Sequence, residues 1–392
     1  MHRRTLLLSL AGWPSLSVLA LPGHAAESNE RLNFPADFGA HPKTRTEWWY
    51  VTGSLQSGAR LWGFQVTFFR SSTGIAQEPS VEHRAALATD HAFDHAADNA
   101  SAPPTSRFAP TQLVFAHAAL TDLEQKRLRH DQRISRSGFN IARAETGDTN
   151  VTLRDWRMKR EPLPTQPDRS RYLAHVASDS AGFAFELQFD TTQPVLLQGQ
   201  DGVSQKGPSP DQVSHYYSQP QLAVRGALTL DGKVIDVTGR GWLDHEWSDA
   251  FIAPQAVGWD WIGMNLDDGS ALTAFRLRRA DGSALYAGGS FREANDNADR
   301  KPHNFASDEV RFTPMRIWES SGSRARYPVQ WIVDTPVGKF GVNALMDNQE
   351  LDSRGSTGSI YWEGLSELLD ATGRRVGRGY LEMTGYAAAL RI

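Results

Sequence analysis

The chain has 392 residues, of which 40% are hydrophobic, and it carries a formal net charge of -4. This composition suffices for one or two globular cores, and no cluster of Lys and Arg provides the basic surface that nucleic-acid binding needs. The absence of cysteine excludes disulfides, thiolate catalysis and cysteine-ligated zinc.

The first 25 residues predict an export signal. A basic start at residues 2–4 precedes an apolar run over residues 6–21, and small residues around Ala25 suit a cleavage site. Residues 1–25 are therefore predicted to be a signal peptide, of the Sec or the twin-arginine type, that delivers the protein to the periplasm or beyond. An uncleaved anchor is the weaker alternative, because Trp13-Pro14 interrupts a run already short of the ~20 residues that a spanning helix needs.

Alternation of apolar and polar residues dominates the rest of the chain. Besides the hairpins described next, strands are predicted at residues 113–119, 150–156, 172–178, 183–189, 329–334 and 340–345. Only residues 78–94 predict a helix, and residues 88–110 look like added material. Many short strands between Gly-rich turns favour antiparallel barrels or sandwiches.

Two blocks of sequence each occur twice. Residues 48–70 align without gaps on residues 259–281, and residues 226–243 align on residues 364–381. Each block alternates around a short Gly-containing turn, which predicts a β-hairpin. The same order of hairpins recurs, which predicts tandem copies of one β domain. The copies are predicted to cover residues 26–250 and 251–392.

Residues 239–248 place two carboxylates and an imidazole between two indoles. Burial beside indole rings raises the pKa of a carboxyl group, which makes it a proton donor near neutral pH. On an extended backbone Asp244 and Glu246 face one way, while His245 and Trp247 face the other. A single pocket would hold all four side chains only if the strand bulged.

The repeat provides an internal comparison for these residues. The second copy keeps only the acid, as Glu382 in the position of Asp244. A group that maintains the barrel should occur in both copies, whereas a group that serves one site need occur once. The repeat therefore favours a structural role for Asp244 and a functional role for His245, and leaves Glu246 undecided.

The first hairpin carries aromatic residues in both copies. Trp48 and Trp259 occupy equivalent places and are interpreted as aromatic barrel plugs. Asp260, between Trp259 and Trp261, has no equivalent acid in the first copy. That asymmetry makes it a functional candidate.

Ordered motifs over nearly the whole mature chain carry a family resemblance. They are EWWYVTG (47–53), HAALTD (117–122), LLQG (196–199), KG (206–207), YYSQP (216–220), GWLDHEWS (241–248), GWDW (258–261) and YLEMTGY (380–386). With these motifs the chain resembles the secreted AttH-like family, which is related to bacterial carotenoid hydratases.

The resemblance implies an all-β fold of two tandem lipocalin-like (calycin) antiparallel β-barrel domains. It also implies a ligand site within a barrel or where the barrels meet, and a hydrophobic ligand such as a lipid or isoprenoid. Family members carry labels of hydrolase, carotenoid hydratase or lipocalin-like protein, and related fungal proteins look like pericyclases. The resemblance therefore defines the fold more narrowly than the function.

A resemblance to hydratases implies a concrete chemistry. A carboxylic acid protonates an alkene, aromatic faces shelter the carbocation, and a positioned water adds, with no metal or organic cofactor. The candidate catalytic residues are Asp244, His245, Glu246 and Asp260. The candidate ligand-binding residues are Trp247, Trp259, Trp261, Trp48, Trp49, Tyr216 and Tyr217.

Other signals are weaker. His91 and His95 have helical spacing for a metal but lack the Glu of the zinc-protease motif. No Gly-x-Ser-x-Gly motif occurs around a candidate nucleophile such as Ser248, which lies near His245 in sequence, and this counts against a hydrolase. His117 is interpreted as a core imidazole. A non-catalytic lipid carrier remains the alternative to an enzyme, and the sequence leaves peripheral membrane association and oligomeric state open.

Overall fold

The computed structural model describes residues 31–75, 109–163, 166–250, 252–294 and 301–390, without the side chain of residue 167. The predicted signal peptide, the predicted helix at residues 78–94 and the His91/His95 pair lie outside these residues. Within the described ranges, no helix has the length and apolar character needed to cross a membrane.

The first half of the chain forms a 13-stranded sheet. Its strands are β1 Thr46–Ser57, β2 Arg60–Ser72, β3 Gln112–Asp122, β4 Arg127–Arg136, β5 Ala142–Ala144, β6 Asn150–Leu153, β7 Trp156–Leu163, β8 Gln166–Ser178, β9 Phe183–Asp190, β10 Leu196–Leu197, β11 Val203–Gln205, β12 Val213–Leu230 and β13 Lys233–Ser248. A short 3-10 helix, Ala36–Phe38, precedes them. The hydrogen-bonded order is β4-β3-β2-β1-β13-β12-β9-β8-β7-β6-β5, with β10 and β11 on β12. Because β3 also contacts β5 and β6, the sheet curls into a nearly closed barrel.

The second half forms a 10-stranded sheet and a separate strand pair. The strands are β14 Gly258–Leu266, β15 Ala271–Arg278, β16 Ala284–Arg292, β17 His303–Phe305, β18 Arg311–Pro314, β19 Ile317–Glu319, β20 Arg326–Pro328, β21 Gln330–Thr335, β22 Gly338–Ala344, β23 Glu350–Ser353, β24 Ser359–Leu369 and β25 Arg375–Met383. The order is β17-β16-β15-β14-β25-β24-β22-β21-β18, with β23 on β24, and β19 pairs with β20. The prediction of an all-β protein with tandem antiparallel barrels is confirmed.

The sequence repeat corresponds to a structural repeat. The first aligned blocks form the hairpins β1–β2 and β14–β15, and the second form β12–β13 and β24–β25. In each half the two hairpins join in the same way, β1 with β13 and β14 with β25. The equivalent turn residues Gly58 and Gly269 both have positive φ, 57° and 94°, a conformation that glycine adopts without steric cost.

The three largest apolar clusters follow from the alternation along these strands. Trp49 and Phe64 lie in the core of the first barrel, and Trp362 lies in the core of the second. The third cluster lies between the barrels and contains Tyr50 and Trp261, among others. One face of each duplicated hairpin thus packs inward, and the other packs against the opposite half.

One predicted strand is two strands in the structure. The sequence predicts a strand over residues 150–156, but β6 ends at Leu153 and β7 begins at Trp156, and these two residues pair with each other. Arg154 adopts a positive φ of 59°, which closes a two-residue turn. The turn lacks the glycine that would have marked it in the sequence. The other predicted strands overlap β3, β8, β9, β21 and β22.

Candidate functional site

A cavity of about 310 Å³ lies between the two barrels. Strands β1, β2, β3, β12 and β13 provide its first wall, and β14, β15, β24 and β25 provide its second. Aromatic side chains line much of it: Trp48, Tyr50, Phe69, Phe115, Tyr216, Trp259, Trp261, Phe275 and Tyr361. Its volume is near the lower end of the roughly 300–1,000 Å³ typical of small-molecule pockets, so the enclosed part of a ligand is small.

Five carboxyl groups line this cavity: Glu47, Asp244 and Glu246 from the first barrel, and Glu363 and Glu382 from the second. Asp244 and Glu382 occupy equivalent positions of the repeat, on β13 and β25. Because both halves turn the same face of this hairpin towards the interface, the duplicated acids meet in one cavity.

Asp244 is a buried acid with a high proton affinity. The Ser218 hydroxyl donates to its Oδ1, and Trp242 Nε1 donates to the same oxygen at 2.7 Å. Burial raises the pKa of Asp244 from 3.8 to about 7, although these hydrogen bonds oppose the shift. Near neutral pH a large fraction of this carboxyl group therefore keeps its proton.

The second barrel contributes a pair of facing acids. Glu363 on β24 and Glu382 on β25 are directly opposed in the strand register. Burial raises the pKa of both groups, and the charge of Glu382 raises the pKa of Glu363 further. Two carboxyl groups this close cannot both ionise in a buried place, so the pair holds at least one proton.

Glu246 has a cationic partner. Lys206 Nζ lies 3.0 Å from Glu246 Oε1, and the Ser214 hydroxyl donates to the same oxygen. The ammonium group lies over the faces of Tyr216 and Phe275, 4.5 and 4.6 Å from the ring centroids. The cavity thus combines protonated acids with one carboxylate held in an ion pair.

His245 faces the interior of the first barrel, as the alternation along β13 predicts. It is fully buried, its Nε2 lies 2.9 Å from Glu47 Oε1, and its Nδ1 lies 3.0 Å from the Tyr217 hydroxyl. Burial lowers the pKa of His245 to about 4, against the attraction of Glu47. His245 and Tyr217 do not line the cavity, so their predicted contact with a ligand lacks structural support.

Trp49 and Trp247 belong to the same interior cluster. Trp49 stacks on His245 at 4.6 Å between ring centroids, and Trp247 stacks on His41 at 3.7 Å. Neither indole lines the cavity, which places both predicted ligand contacts in the core of the barrel. The strand does not bulge here, since β1 pairs with β13 in continuous register.

Glu47 is the centre of this interior network. Arg70 Nε donates to Glu47 Oε2 at 2.8 Å, and His41 Nδ1 lies 2.7 Å from Oε1. Burial alone would raise the pKa of Glu47, but the hydrogen bonds of His245 and His41 outweigh it and hold the pKa well below its usual range. Glu47 and Arg70 also border the cavity.

His41, Glu47 and His245 also have the geometry to hold a metal ion. The nitrogen atoms of both histidines already contact Glu47 Oε1, and the Arg70 guanidinium adds a positive charge beside it. A cation would therefore have to displace protons next to a buried arginine. These contacts fit an ion-pair network better than a metal centre.

Asp260 faces the interior of the second barrel. It accepts hydrogen bonds from Arg276 Nε at 2.7 Å, Arg278 Nη1 at 3.0 Å and the Tyr386 hydroxyl at 2.9 Å. It does not line the cavity, although its neighbours Trp259 and Trp261 do. Its predicted catalytic role therefore lacks structural support, because two arginines already neutralise it within the barrel.

A serine and an imidazole meet on the cavity wall where the sequence gives no signal. His117 Nε2 lies 2.8 Å from Ser356 Oγ, and His117 Nδ1 lies 2.9 Å from the Tyr361 hydroxyl. Ser356 donates its proton to Gln132 Oε1, so it accepts from His117 Nε2. Burial lowers the pKa of His117 to about 3. An imidazole that donates to serine does not act as its base, which argues against an acyl-transfer triad.

The structure thus divides the predicted site residues into two groups. Six line the cavity together: Asp244, Glu246, Trp48, Trp259, Trp261 and Tyr216. Sequence reasoning missed Glu363, Glu382, Lys206 and Tyr50. The repeat contained a signal for Glu382, which aligns with Asp244. A second, polar cleft of about 360 Å³ is a weaker candidate, because its acid Asp201 is already paired with Lys301.

The fold and the site together define a class: a two-barrel protein with a ligand-sized, acid-lined cavity between its halves. The profile of the AttH-like family matches residues 25–386. The chain therefore belongs to the AttH-like family.

Solved structures agree with this assignment. An AttH protein from Nitrosomonas europaea is 41% identical, covers 93% of this chain and 98% of its own, and superposes with a TM-score of 0.76. Kievitone hydratase from Nectria haematococca is 15% identical, covers 91% and 94%, and has a TM-score of 0.64, so it shares the fold. The barrels are thus tandem lipocalin-like barrels. The curated proteins include no significant match to this sequence.

Proposed function

We propose that this protein binds an isoprenoid-like or lipid-like molecule in the cavity between its barrels and transfers a proton to an alkene of that molecule. One observation carries the proposal: Asp244, a carboxyl group with a pKa of about 7, faces an aromatic-lined cavity. Such an acid is protonated at the pH where it must act, which is the condition for general acid catalysis.

The proton transfer has a definite electron balance. The π electrons of the alkene take the proton of Asp244, which forms a C–H bond and leaves a carbocation on the neighbouring carbon. Electron-rich faces of Trp48, Trp259 and Trp261 stabilise this cation. A water molecule then adds through its oxygen and loses a proton, so the net change is the addition of one water.

Glu246 is placed to take the proton from that water. Residues two apart on a strand face the same side about 6.5–7 Å from each other, which leaves room for a ligand carbon and a water between Asp244 and Glu246. If the cation instead loses a different proton to Glu246, the product is an isomer. Kievitone hydratase, which shares the fold, makes hydration the reaction to test first.

The test uses purified protein, short isoprenoids with an isolated alkene, and mass spectrometry. We expect a product heavier by one water, and Asp244→Asn is expected to lower its rate by about 10²–10⁴-fold, the usual contribution of a general acid. Asp236→Asn is the matched control, because it makes the same change on the exposed part of β13. Equal rates for the wild type and Asp244→Asn would remove Asp244 from the reaction.

A non-catalytic carrier is the second candidate. It is favoured by the anchoring of Asp244 Oδ1, which accepts from both Ser218 and Trp242. The same mass spectra distinguish the two functions, since a carrier releases its ligand with unchanged mass.

We propose further that the protein acts outside the cytoplasm. This rests on the basic and apolar pattern of residues 1–25. Cell fractionation of the full chain and of a chain lacking residues 2–25 tests it, because only the full chain should reach the periplasm or medium.

A further inference from the structure

Three polar atoms on the cavity wall have no hydrogen-bond partner in the described part of the chain. They are the Tyr50 hydroxyl, Gln65 Oε1 and Glu363 Oε1. The three side chains are only 6%, 2% and 3% exposed. A buried polar atom without a partner costs roughly 1–3 kcal/mol, and native proteins contain few of them. Their concentration at one cavity indicates that the bound molecule supplies the missing partner.

Tyr50 and Glu363 approach each other across the boundary between the barrels. After burial, the charge of Glu363 is the largest influence that raises the pKa of Tyr50, so the two groups are close. A side-chain interaction between Tyr50 and Glu363 also acts on the pKa of both groups, yet the Tyr50 hydroxyl and Glu363 Oε1 do not meet in the geometry of a full hydrogen bond. The edge of Tyr50 is fixed against Trp261, with ring centroids 5.6 Å apart and an interplanar angle of 87°.

Gln65 adds an acceptor of known orientation. Its amide nitrogen donates to the Thr67 hydroxyl at 3.0 Å and to the Tyr361 hydroxyl at 3.3 Å. Because the Tyr361 hydroxyl donates its proton to His117 Nδ1, the end of the Gln65 amide that contacts Tyr361 must be the nitrogen, which leaves Oε1 without a donor. Burial and the charge of Glu363 both raise the pKa of Tyr361, which places Gln65 and Glu363 around the same part of the cavity.

To pair with all three groups, a ligand must both accept and donate hydrogen bonds. Tyr50 offers a donor, Glu363 offers a donor when protonated, and Gln65 Oε1 can only accept. A hydrocarbon would leave all three atoms unpaired, and a carbonyl oxygen would leave Gln65 Oε1 unpaired. A hydroxyl group accepts from one side and donates to the other. A carboxylate ligand would meet the five acids that line the same cavity.

We propose that the ligand is an alcohol or phenol with an apolar skeleton, and that Tyr50, Gln65 and Glu363 bind its hydroxyl group. This inference rests on the proposed function of the cavity and adds the class of the ligand. The hydroxyl site determines specificity, because it rejects the corresponding hydrocarbon by leaving buried polar atoms unpaired. It also orients the skeleton relative to Asp244, which lines the same cavity.

The test compares farnesol with farnesene, which share a carbon skeleton; farnesene lacks the hydroxyl group and has one more C=C bond. Binding is measured with the intact protein by quenching of tryptophan fluorescence. We expect the wild type to bind farnesol at least ~10-fold more tightly, the equivalent of one net hydrogen bond at the upper end of its range. Tyr50→Phe should bring the two affinities close together by weakening farnesol alone.

Tyr327→Phe is the matched control. It also removes a buried hydroxyl without a partner, but Tyr327 lies in the core of the second barrel and not on the cavity. This variant should keep the full preference for farnesol. If Tyr50→Phe fails to fold, Gln65→Leu replaces it, with the same expected loss of preference.

The outcomes separate this inference from the function on which it rests. If farnesene binds the wild type as tightly as farnesol, or if Tyr50→Phe and Gln65→Leu keep the preference, the hydroxyl site is overturned while the apolar cavity stands. A trapped water would give that result, because it already satisfies the three atoms. If neither compound binds, the proposed function of the cavity fails and the hydroxyl site fails with it.

Discussion

The two faces of the paired strands β1 and β13 carry carboxyl groups in opposite electrostatic states. On the barrel side, Glu47 accepts from Arg70, His41 and His245, and its pKa is lowered. On the cavity side, Asp244 has neutral donors only, and burial raises its pKa to about 7.

Burial alone therefore does not decide the charge of these acids. Both groups are almost completely enclosed, with exposures of 0% and 3%. The difference is the partner: a cation beside a buried carboxylate stabilises the ionised form, and its absence stabilises the acid. A buried acid in this protein can therefore donate a proton near neutral pH only where it lacks a cationic neighbour.

The largest effect on stability is expected from a substitution that removes the ion pair inside the first barrel. Glu47→Gln leaves the Arg70 guanidinium buried without its counter-ion, which typically costs about 3–5 kcal/mol of folding free energy. Denaturant unfolding at pH 7 measures this loss.

Glu382→Gln is the matched variant on the cavity side. It should leave the free energy of unfolding unchanged or raise it, because it removes an acid that opposes Glu363. Comparable losses for Glu47→Gln and Glu382→Gln would contradict the distinction between the two regions.

A smaller effect follows from the pH dependence of stability. Between its ordinary pKa of 3.8 and its folded pKa of about 7, Asp244 binds more proton in the folded than in the unfolded state. Its contribution to stability is therefore complete below the lower value and is lost as the pH rises through the higher one. Glu47 has the opposite sign: its contribution is present above 4.5 and is lost on acidification.

Thermal unfolding of Asp244→Asn checks the direction in which the contribution of Asp244 to stability changes with pH. From pH 6 to pH 9 the Tm of the wild type should fall relative to that of Asp244→Asn, by ~2–4 °C for each kcal/mol lost. Asp236→Asn, with its exposed side chain, should follow the wild type at every pH. Parallel curves for the wild type and Asp244→Asn would show that Asp244 ionises normally.

The sequence predicts the fold well because alternation and the repeat are local signals. Aligned blocks such as 48–70 and 259–281 are hairpins in both halves, joined in the same way. A tight turn without glycine, as at Arg154, leaves no such signal. Local pattern therefore gives the strands but not every break between them.

The site was harder to predict because its contacts cross the two halves. Duplication of Asp244 favoured a structural role, yet the pseudosymmetric packing brings Asp244 and Glu382 to one cavity. His245 and Asp260 occur once, which favoured function, yet each has charged partners inside a barrel. Glu47 lies on β1, 198 residues from His245 in sequence, whereas Arg276 and Arg278 lie on β15, the strand next to that of Asp260. Only the packing of sheets shows which acids are neutralised.

Infrared difference spectroscopy of the carboxyl C=O stretch shows directly whether Asp244 holds a proton, because this band belongs to the protonated acid alone. The wild type should show a band that disappears as the pH rises through about 7 and that is missing from Asp244→Asn. Binding of an alkene or alcohol in the cavity should shift this band. A wild-type spectrum identical to that of Asp244→Asn from pH 5 to pH 9 would contradict the account, since Asp244 would then hold no proton to give.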